Sequence, residues 1–433
     1  MKHSKVLKIA IPMILSNITV PLSGLVDTAV LGHLSHPYYL AGVGVAVTIF
    51  NMIFWSMGFL RMATTGIAAQ AFGRNDYDAL YLTLFRGLLV AIGIGLLLIV
   101  FQGLLLSFSF WVIHATPLVT AQAKIFFSIV IWGAPAVLSN LVIIAVLISL
   151  QRARTVLLMT VVMNIVNIVL DFVLVFGVGM KTAGVGTASL TAYYTGTILG
   201  LILLRQELKR SPQFAASLKD VFQIEALKHF FTLNRDIFIR TICLVAVFTY
   251  FTREGAQYGS WILAANVLLM NFQSFFALAS DGFANAAEAL VGNAVGTKNQ
   301  KTFSEAVIRC AQWAFIISIF FAIIYFIFGH AIIRLLTDIP HVRLVAYRYL
   351  PWMIIIPIVS VWGFFFDGVF VGATMAKDMR NTMILALITF VVFRVLFYRL
   401  DNNGLWLAFA SFLSARGFFM LIVFMRKRMK FVC

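Results

Sequence analysis

Two aspartates stand inside stretches of sequence that otherwise read as membrane interior. Asp27 lies in GLVDTAVLGHL and Asp171 in MNIVNIVLDFVLVFG, neither with a basic residue within a helical turn. A carboxylate at the centre of a spanning helix costs about 2.5–3.5 kcal/mol on insertion scales, so such residues face protein or an ion pathway. Asn164, Asn167 and Asp171 are spaced i, i+3, i+7, which puts two amides and an acid on one helical face. Ser189 follows in the next apolar stretch. Oxygen-rich side chains converging at one depth suit a proton shared between acids, or a small hard cation such as Na+. The plainer alternative is that each polar group hydrogen-bonds a neighbouring helix. That accounts for a lone Asn or Ser; two acids without a base favour ion coupling.

The elements that must position these groups follow from composition. The chain has 433 residues, of which 62% are hydrophobic and 11% charged, with a mean hydropathy of +0.98. No soluble domain hides that much apolar surface, so the fold class expected is an all-α membrane protein. Apolar runs predict twelve spans, at about 7–33, 42–72, 79–110, 119–150, 155–178, 183–204, 231–256, 262–296, 303–332, 345–373, 380–398 and 402–425. The first run is too long for a signal-peptide core and reads as a retained helix. Within these bounds Asp27 lies six residues and Asp171 seven from the outer ends of spans one and five, and Ser189 six residues into span six. All three share one depth.

The net charge of +17 is explained by loop asymmetry rather than by nucleic acid. Inner segments collect Lys2, Lys5 and Lys8 at the start, Arg205, Lys209, Arg210 and Lys219 in the centre, and Arg426, Lys427, Arg428 and Lys430 at the end. Outer segments hold fewer, among them Lys124, Lys181, Arg253 and Arg334. Both termini are therefore expected in the cytoplasm, with the chain multi-pass in the inner or plasma membrane and acting as a monomer. Cys243, Cys310 and Cys433 are far apart and indicate neither a disulfide framework nor a metal site.

The longest polar connection divides the chain into an amino-terminal lobe, 1–207, a cytoplasmic linker, 208–228, and a carboxy-terminal lobe, 229–433. An internal echo supports the division: GIAAQAFGRND after Gly66 and ALVGNAVGTKN after Ala289 recur 223 positions apart, and Arg154 and Arg380 repeat at a similar offset. Two six-helix lobes of the same orientation imply pseudo-twofold symmetry about the membrane normal, which is transporter architecture.

Other buried charges predict a different role. Arg240 and Asp367 fall at similar depth near the cytoplasmic side, and Arg61 could meet Asp281 or Glu288 across the halves; these read as gating or structural pairs. Arg394, near an outer end, is expected to snorkel. Pro12 and Pro21 precede Asp27 in the same span, and either offers a kink through which its ion occupancy could bend the helix.

These residues carry a pattern. IPMILSNITVPLSGLVDTAVLGHL, LRMATTGIAAQAFGRND, LNRDIFIRT, DGFANAAEALVGNAVG and DGVFVGATMAKDMRN resemble the DNA-damage-inducible F branch of the multidrug and toxic compound extrusion family, in order over nearly the whole chain. The resemblance implies twelve helices in two lobes, a central cleft of alternating access, and export of amphipathic, often cationic compounds driven by H+ or Na+, without a cofactor. It assigns the family's cation site to Asp27, Asn167, Asp171 and Ser189, where the family often has Thr. It assigns the bending proline to Pro12. Span seven has no acid between Asp236 and Glu254, which argues against a second cation site there. The rival within the superfamily is a flippase of lipid-linked oligosaccharide or other lipid, for which Arg61 and Arg240 are thin support. No His/Cys cluster, serine–base pair or phosphate-binding glycine loop suggests an enzyme.

Overall fold

The computed structural model describes residues 2–113, 116–209 and 218–427; Arg210, Arg428, Lys430 and Cys433 lie outside the described residues. It is helical nearly throughout, with no strand among those residues. The amino-terminal half contains α1 His3–Gly32, α2 Pro37–Ser56, α3 Phe59–Gly73, α4 Tyr77–Val100, α5 Gln102–Ile113, α6 Pro117–Val130, α7 Ala134–Ser149, α8 Ala153–Phe172 and α9 Lys181–Leu208. The carboxy-terminal half contains α10 Ile224–Gln257, α11 Ser260–Gly296, α12 Gln300–Leu336, α13 Pro340–Gly372, α14 Ala376–Leu396 and α15 Asp401–Lys427.

Local breaks subdivide three rods of the first half. Met57 and Gly58 separate α2 from α3, Phe101 separates α4 from α5, and a 3-10 turn at Ile131–Gly133 separates α6 from α7. Joined across those breaks the helices make twelve rods, at the places expected from the apolar runs. Eleven are long and apolar enough to cross a membrane. The exception is α10, whose 34 residues include Glu225, Lys228, Arg235, Asp236, Arg240, Arg253 and Glu254.

The internal echo has a structural counterpart. Asp76 caps α4 by accepting from Ala79 N at 2.9 Å, and Asn299, 223 residues on, caps α12 by accepting from Thr302 N at 3.0 Å. Asn75 and Lys298 close the preceding helices with φ of 56° and 54°; Gln151 and Thr374 do the same before α8 and α14 with 60° and 55°. The starts of α2, α4, α8 and α14 and their counterparts keep this 223-residue spacing, so the two halves repeat one set of helix boundaries.

The chain divides into two compact units, Met1–Ile14 with Phe230–Cys433, and Leu15–His229. The division falls inside α1, two residues after Pro12. Leu15–His229 packs around Phe50, Phe126 and Phe127, with Phe50 stacked on Phe127 at 4.7 Å. The other unit packs around Phe251, Trp406, Phe409 and Phe412. In that unit α11 and α13 approach closely enough that a Cβ on Gly368 would lie 2.4 Å from the Ala284 carbonyl oxygen. The first turns of α1 press on the same α11: a Cβ on Gly282 would lie 2.4 Å from Ile14 Cγ1.

Candidate functional site

The site in the first half is built on α1, α8 and α9. Asn164, Asn167 and Asp171 share the buried face of α8, as their spacing predicts. Directly after Asp171 the helix widens into a π turn, Val173–Gly177. Such turns recur at functional sites because they re-aim side chains at modest backbone cost. Asp171 is fully buried, Asp27 half-buried, and the two carboxyl groups lie within direct interaction range of each other. Asp27 Oδ1 and both oxygens of Asp171 receive no hydrogen bond from any described residue.

Around the acids the polar groups are ordered. Ser23 on α1 donates to Asn167 Oδ1 at 2.6 Å, which leaves the Asn167 amide to donate to Ser189 Oγ on α9 at 3.5 Å. Tyr193, one turn beyond Ser189, lies within electrostatic range of Asp27. Its backbone carbonyl accepts from Asn140 Nδ2 and from Thr197 Oγ1, both at 3.1 Å, which ties this part of α9 to α7. The structure thus brings Asp27, Asn167, Asp171 and Ser189 into one cluster. It adds Ser23 and Tyr193, which the sequence reading did not single out. Ser23 was legible: it stands four residues before Asp27, on the same helical face. Tyr193 had no such signal.

Chemically, two carboxyl groups side by side with bare oxygens cannot both be charged in a low-dielectric site without a cation between them. A proton or a small hard cation satisfies the arrangement, and the amide and hydroxyl oxygens nearby extend the donor set. No group of three or more His, Cys, Asp or Glu suited to a resident metal occurs among the described residues.

The second half handles its charges differently. Arg240 on α10 pairs with Asp367 Oδ2 on α13, and the same oxygen also takes Arg416 of α15. Arg416 is buried, stacks over Phe364 at 5.0 Å, and lies in electrostatic range of Asp281. Sequence reading passed over it, although an arginine midway along an apolar span is a strong signal. Asp236 is held by Arg380 at 2.8 Å. Arg394 does not snorkel. It is buried, and donates to Glu254 Oε2 at 2.6 Å and to Tyr258 Oη at 2.7 Å, with Tyr398 beneath its guanidinium. Snorkelling was expected from depth alone; the acid on α10 supplies a partner that makes burial cheaper than exposure. Arg61 is half-buried in the first half, Asp281 is exposed and Glu288 buried in the second. Pro12 is buried within an uninterrupted α1.

Comparison with known proteins agrees with the duplication. The family model MatE matches this chain twice, at residues 12–173 and 237–398. DNA damage-inducible protein F of Escherichia coli K12 is 39% identical over 418 residues, 96% of this chain and 91% of that protein. A probable multidrug resistance protein NorM of Thermotoga maritima is 24% identical over 98% of this chain and 92% of its own length. Solved MATE structures in the bent and in the straight conformation, each 18% identical, superpose with a TM-score of 0.85 over 99% of this chain and 95% and 96% of theirs. They share its fold of twelve membrane helices in two lobes. The chain belongs to the MatE family of multidrug and toxic compound extrusion transporters, in the branch of DNA damage-inducible protein F.

Proposed function

We propose that the protein exports small amphipathic, often cationic compounds in exchange for H+ or Na+, with Asp27 and Asp171 carrying the ion. One observation carries the reading: two carboxyl groups from different helices meet with three of their oxygens bare of hydrogen-bond donors. Asn167 and Ser189 orient the pair, and their oxygens complete a cation's shell where Na+ is the ion. Ions entering from outside occupy the pair and disfavour the compound-bound outward state, so the compound leaves; ion release inside resets the cycle. Exchange of this kind requires that each ligand prefer a different conformation. A gradient of one pH unit supplies about 1.4 kcal/mol per proton, roughly a tenfold concentration ratio.

Pro12 is the hinge in this reading. Its support is the position of the unit boundary: α1 leaves one compact unit and joins the other just after Ile14. Pro12 lacks the amide hydrogen that would otherwise stiffen the helix there. Arg61 with Asp281 or Glu288, and Arg240 with Asp367, serve as gating or structural pairs. The protein works as a monomer in the inner or plasma membrane, with both termini in the cytoplasm.

The test is efflux from proteoliposomes of a fluorescent cation under an imposed pH gradient, an imposed Na+ gradient, or neither. Wild type should respond to one of the gradients and thereby name the ion. Asp27→Asn and Asp171→Asn should each reduce that response to the level without a gradient. An undiminished response in both variants would overturn the assignment.

A further inference from the structure

Three side-chain pairs link α1 to α8, and all three have one sequence offset. Ser16 meets Thr160, Ser23 meets Asn167, and Asp27 meets Asp171, each 144 residues apart. The positions 16, 23 and 27 on one helix and 160, 167 and 171 on the other follow the same i, i+7, i+11 spacing, a single stripe on each helix. A constant offset means the two helices run parallel in fixed register, as rungs of one ladder.

The rungs differ in what they need. The top rung, the acid pair, depends on a bound ion. The lower two are neutral and complete by themselves. Ser16 Oγ donates to Thr160 Oγ1 at 2.9 Å, and Thr160 passes its own hydrogen to the Val156 carbonyl oxygen at 3.0 Å. Both hydroxyls are buried, with relative exposure of 5% each. By contrast Leu15, Ile18, Val20, Leu22 and Leu25 of the same stretch of α1 are exposed. Apolar packing therefore contributes little to holding this stretch, and the polar rungs set its register. Ser16 is also the first residue of the ladder after α1 has joined the unit that contains α8.

We propose that Ser16 and Thr160 are positioning residues for transport: their hydroxyl rung latches α1 to α8 just beyond Pro12 and so holds Asp27 against Asp171. The lever is long. Eleven residues separate Ser16 from Asp27, about 16 Å at 1.5 Å per residue, so a small tilt at the latch moves the carboxyl groups apart by more. Ser16→Ala removes the donor and leaves Thr160 its bond to Val156, so the loss falls on register rather than on an orphaned group. A buried neutral hydrogen bond of this kind changes an equilibrium by about three- to tenfold.

The inference rests on the ion-carrying role of the acid pair, and its test keeps the two apart. Spin labels at exposed Leu22→Cys and Ile165→Cys, with Cys243, Cys310 and Cys433 replaced by Ala, report the α1–α8 separation in full-length protein. In Ser16→Ala and Thr160→Val a longer-distance population should grow about three- to tenfold relative to the short one, and Ser16→Thr and Thr160→Ser should restore it. In proteoliposomes the pH midpoint of ion-driven efflux should move with the same variants and return with the same rescues. An unchanged distance distribution, or a slower efflux with an unmoved midpoint, would overturn the latch. Should Asp27→Asn and Asp171→Asn leave efflux intact while the distances still shift, the ion assignment fails and the register role stands.

Discussion

Asp171 on α8 and Arg394 on α14 occupy the same place in the two halves, 223 residues apart, and their surroundings are opposite. Asp171 faces a second acid and receives no hydrogen bond from a described residue, whereas Arg394 is clamped by Glu254 and Tyr258. The same contrast runs through the halves. Asp367, Asp236 and Glu254 of the second half are each held by arginine, while Asp27 and Asp171 have only each other. Helix boundaries and caps were kept through the duplication and the charges were not. The difference teaches how one frame can serve two purposes. An acid already neutralised by a resident guanidinium has no use for an exchangeable cation; a bare pair requires one. This contrast supports placing ion exchange in the first half alone.

The comparison can be broken by making one chemical change in both halves. Asp367→Asn leaves Arg240 and Arg416 buried without their carboxylate, and should cost about 3–5 kcal/mol, the range for orphaning a buried ion-pair partner. Thermal unfolding in detergent should show it as the largest loss of the series. Arg416→Met in the Asp367→Asn background removes one stranded cation and should recover part of that loss. If Asp367→Asn is as stable as wild type, the second half is not held by its ion pairs and the contrast collapses.

Arg394→Met comes next. It strands Glu254 in a site nearly closed to water and removes a buried guanidinium at once, so about 3 kcal/mol is expected, with Glu254→Gln as a second change recovering most of it. A small loss that Glu254→Gln does not repair would mean that packing over Tyr398, not charge, holds the residue.

Asp171→Asn should behave in the opposite sense from Asp367→Asn. It removes a charge that no described residue stabilises, so unfolding temperature should hold or rise, by at most about 1 kcal/mol of added stability, while ion-driven efflux is lost. Stability and function separate at this site. A loss of stability comparable with that of Asp367→Asn would show that Asp171 has a structural partner and sink the comparison.

What the sequence made legible follows from the physics of each signal. The rods were visible because the bilayer demands apolar runs of about 20 residues whatever the fold packs against them. The acid cluster was visible because intramembrane carboxylates are costly and their depths could be counted from span ends. Asn167 and Asp171 shared a face by helical periodicity, and applying the same periodicity to span one would have found Ser16 and Ser23. Arg394 was misread because depth is a property of one helix, whereas burial depends on a partner from another. Tyr193, Thr160 and the pairing of Arg416 with Asp367 depend on which helices become neighbours, and that information lies in the packing of the units, not in any local window.

The smallest effect concerns a contact that the duplication preserved with its charges exchanged. Glu207 near the end of α9 meets Arg152 at 2.9 Å and accepts from Thr155 Oγ1 at 3.3 Å. Near the end of α15, Lys427 meets Asp378 at 2.6 Å. Thr155 and Asp378 are 223 residues apart, but Glu207 and Lys427 are 220 apart, because the turn before α15 is three residues shorter; Lys181 and Asp401, both in left-handed conformation with φ of 51° and 48°, mark the same shift. Each half thus ties its last two helices together at the same point, one with an acid reaching to a base and the other with a base reaching to an acid. Both pairs are partly open to solvent, so each is worth about 0.2–1 kcal/mol. Glu207→Lys brings like charges together beside Arg152, and Lys427→Glu does so beside Asp378. Both should lower the unfolding temperature slightly in low salt, and the deficit should shrink toward zero in 1 M NaCl, where screening acts within about 3 Å. A deficit that survives high salt in either half would assign the contact to packing and remove the charge exchange from the comparison.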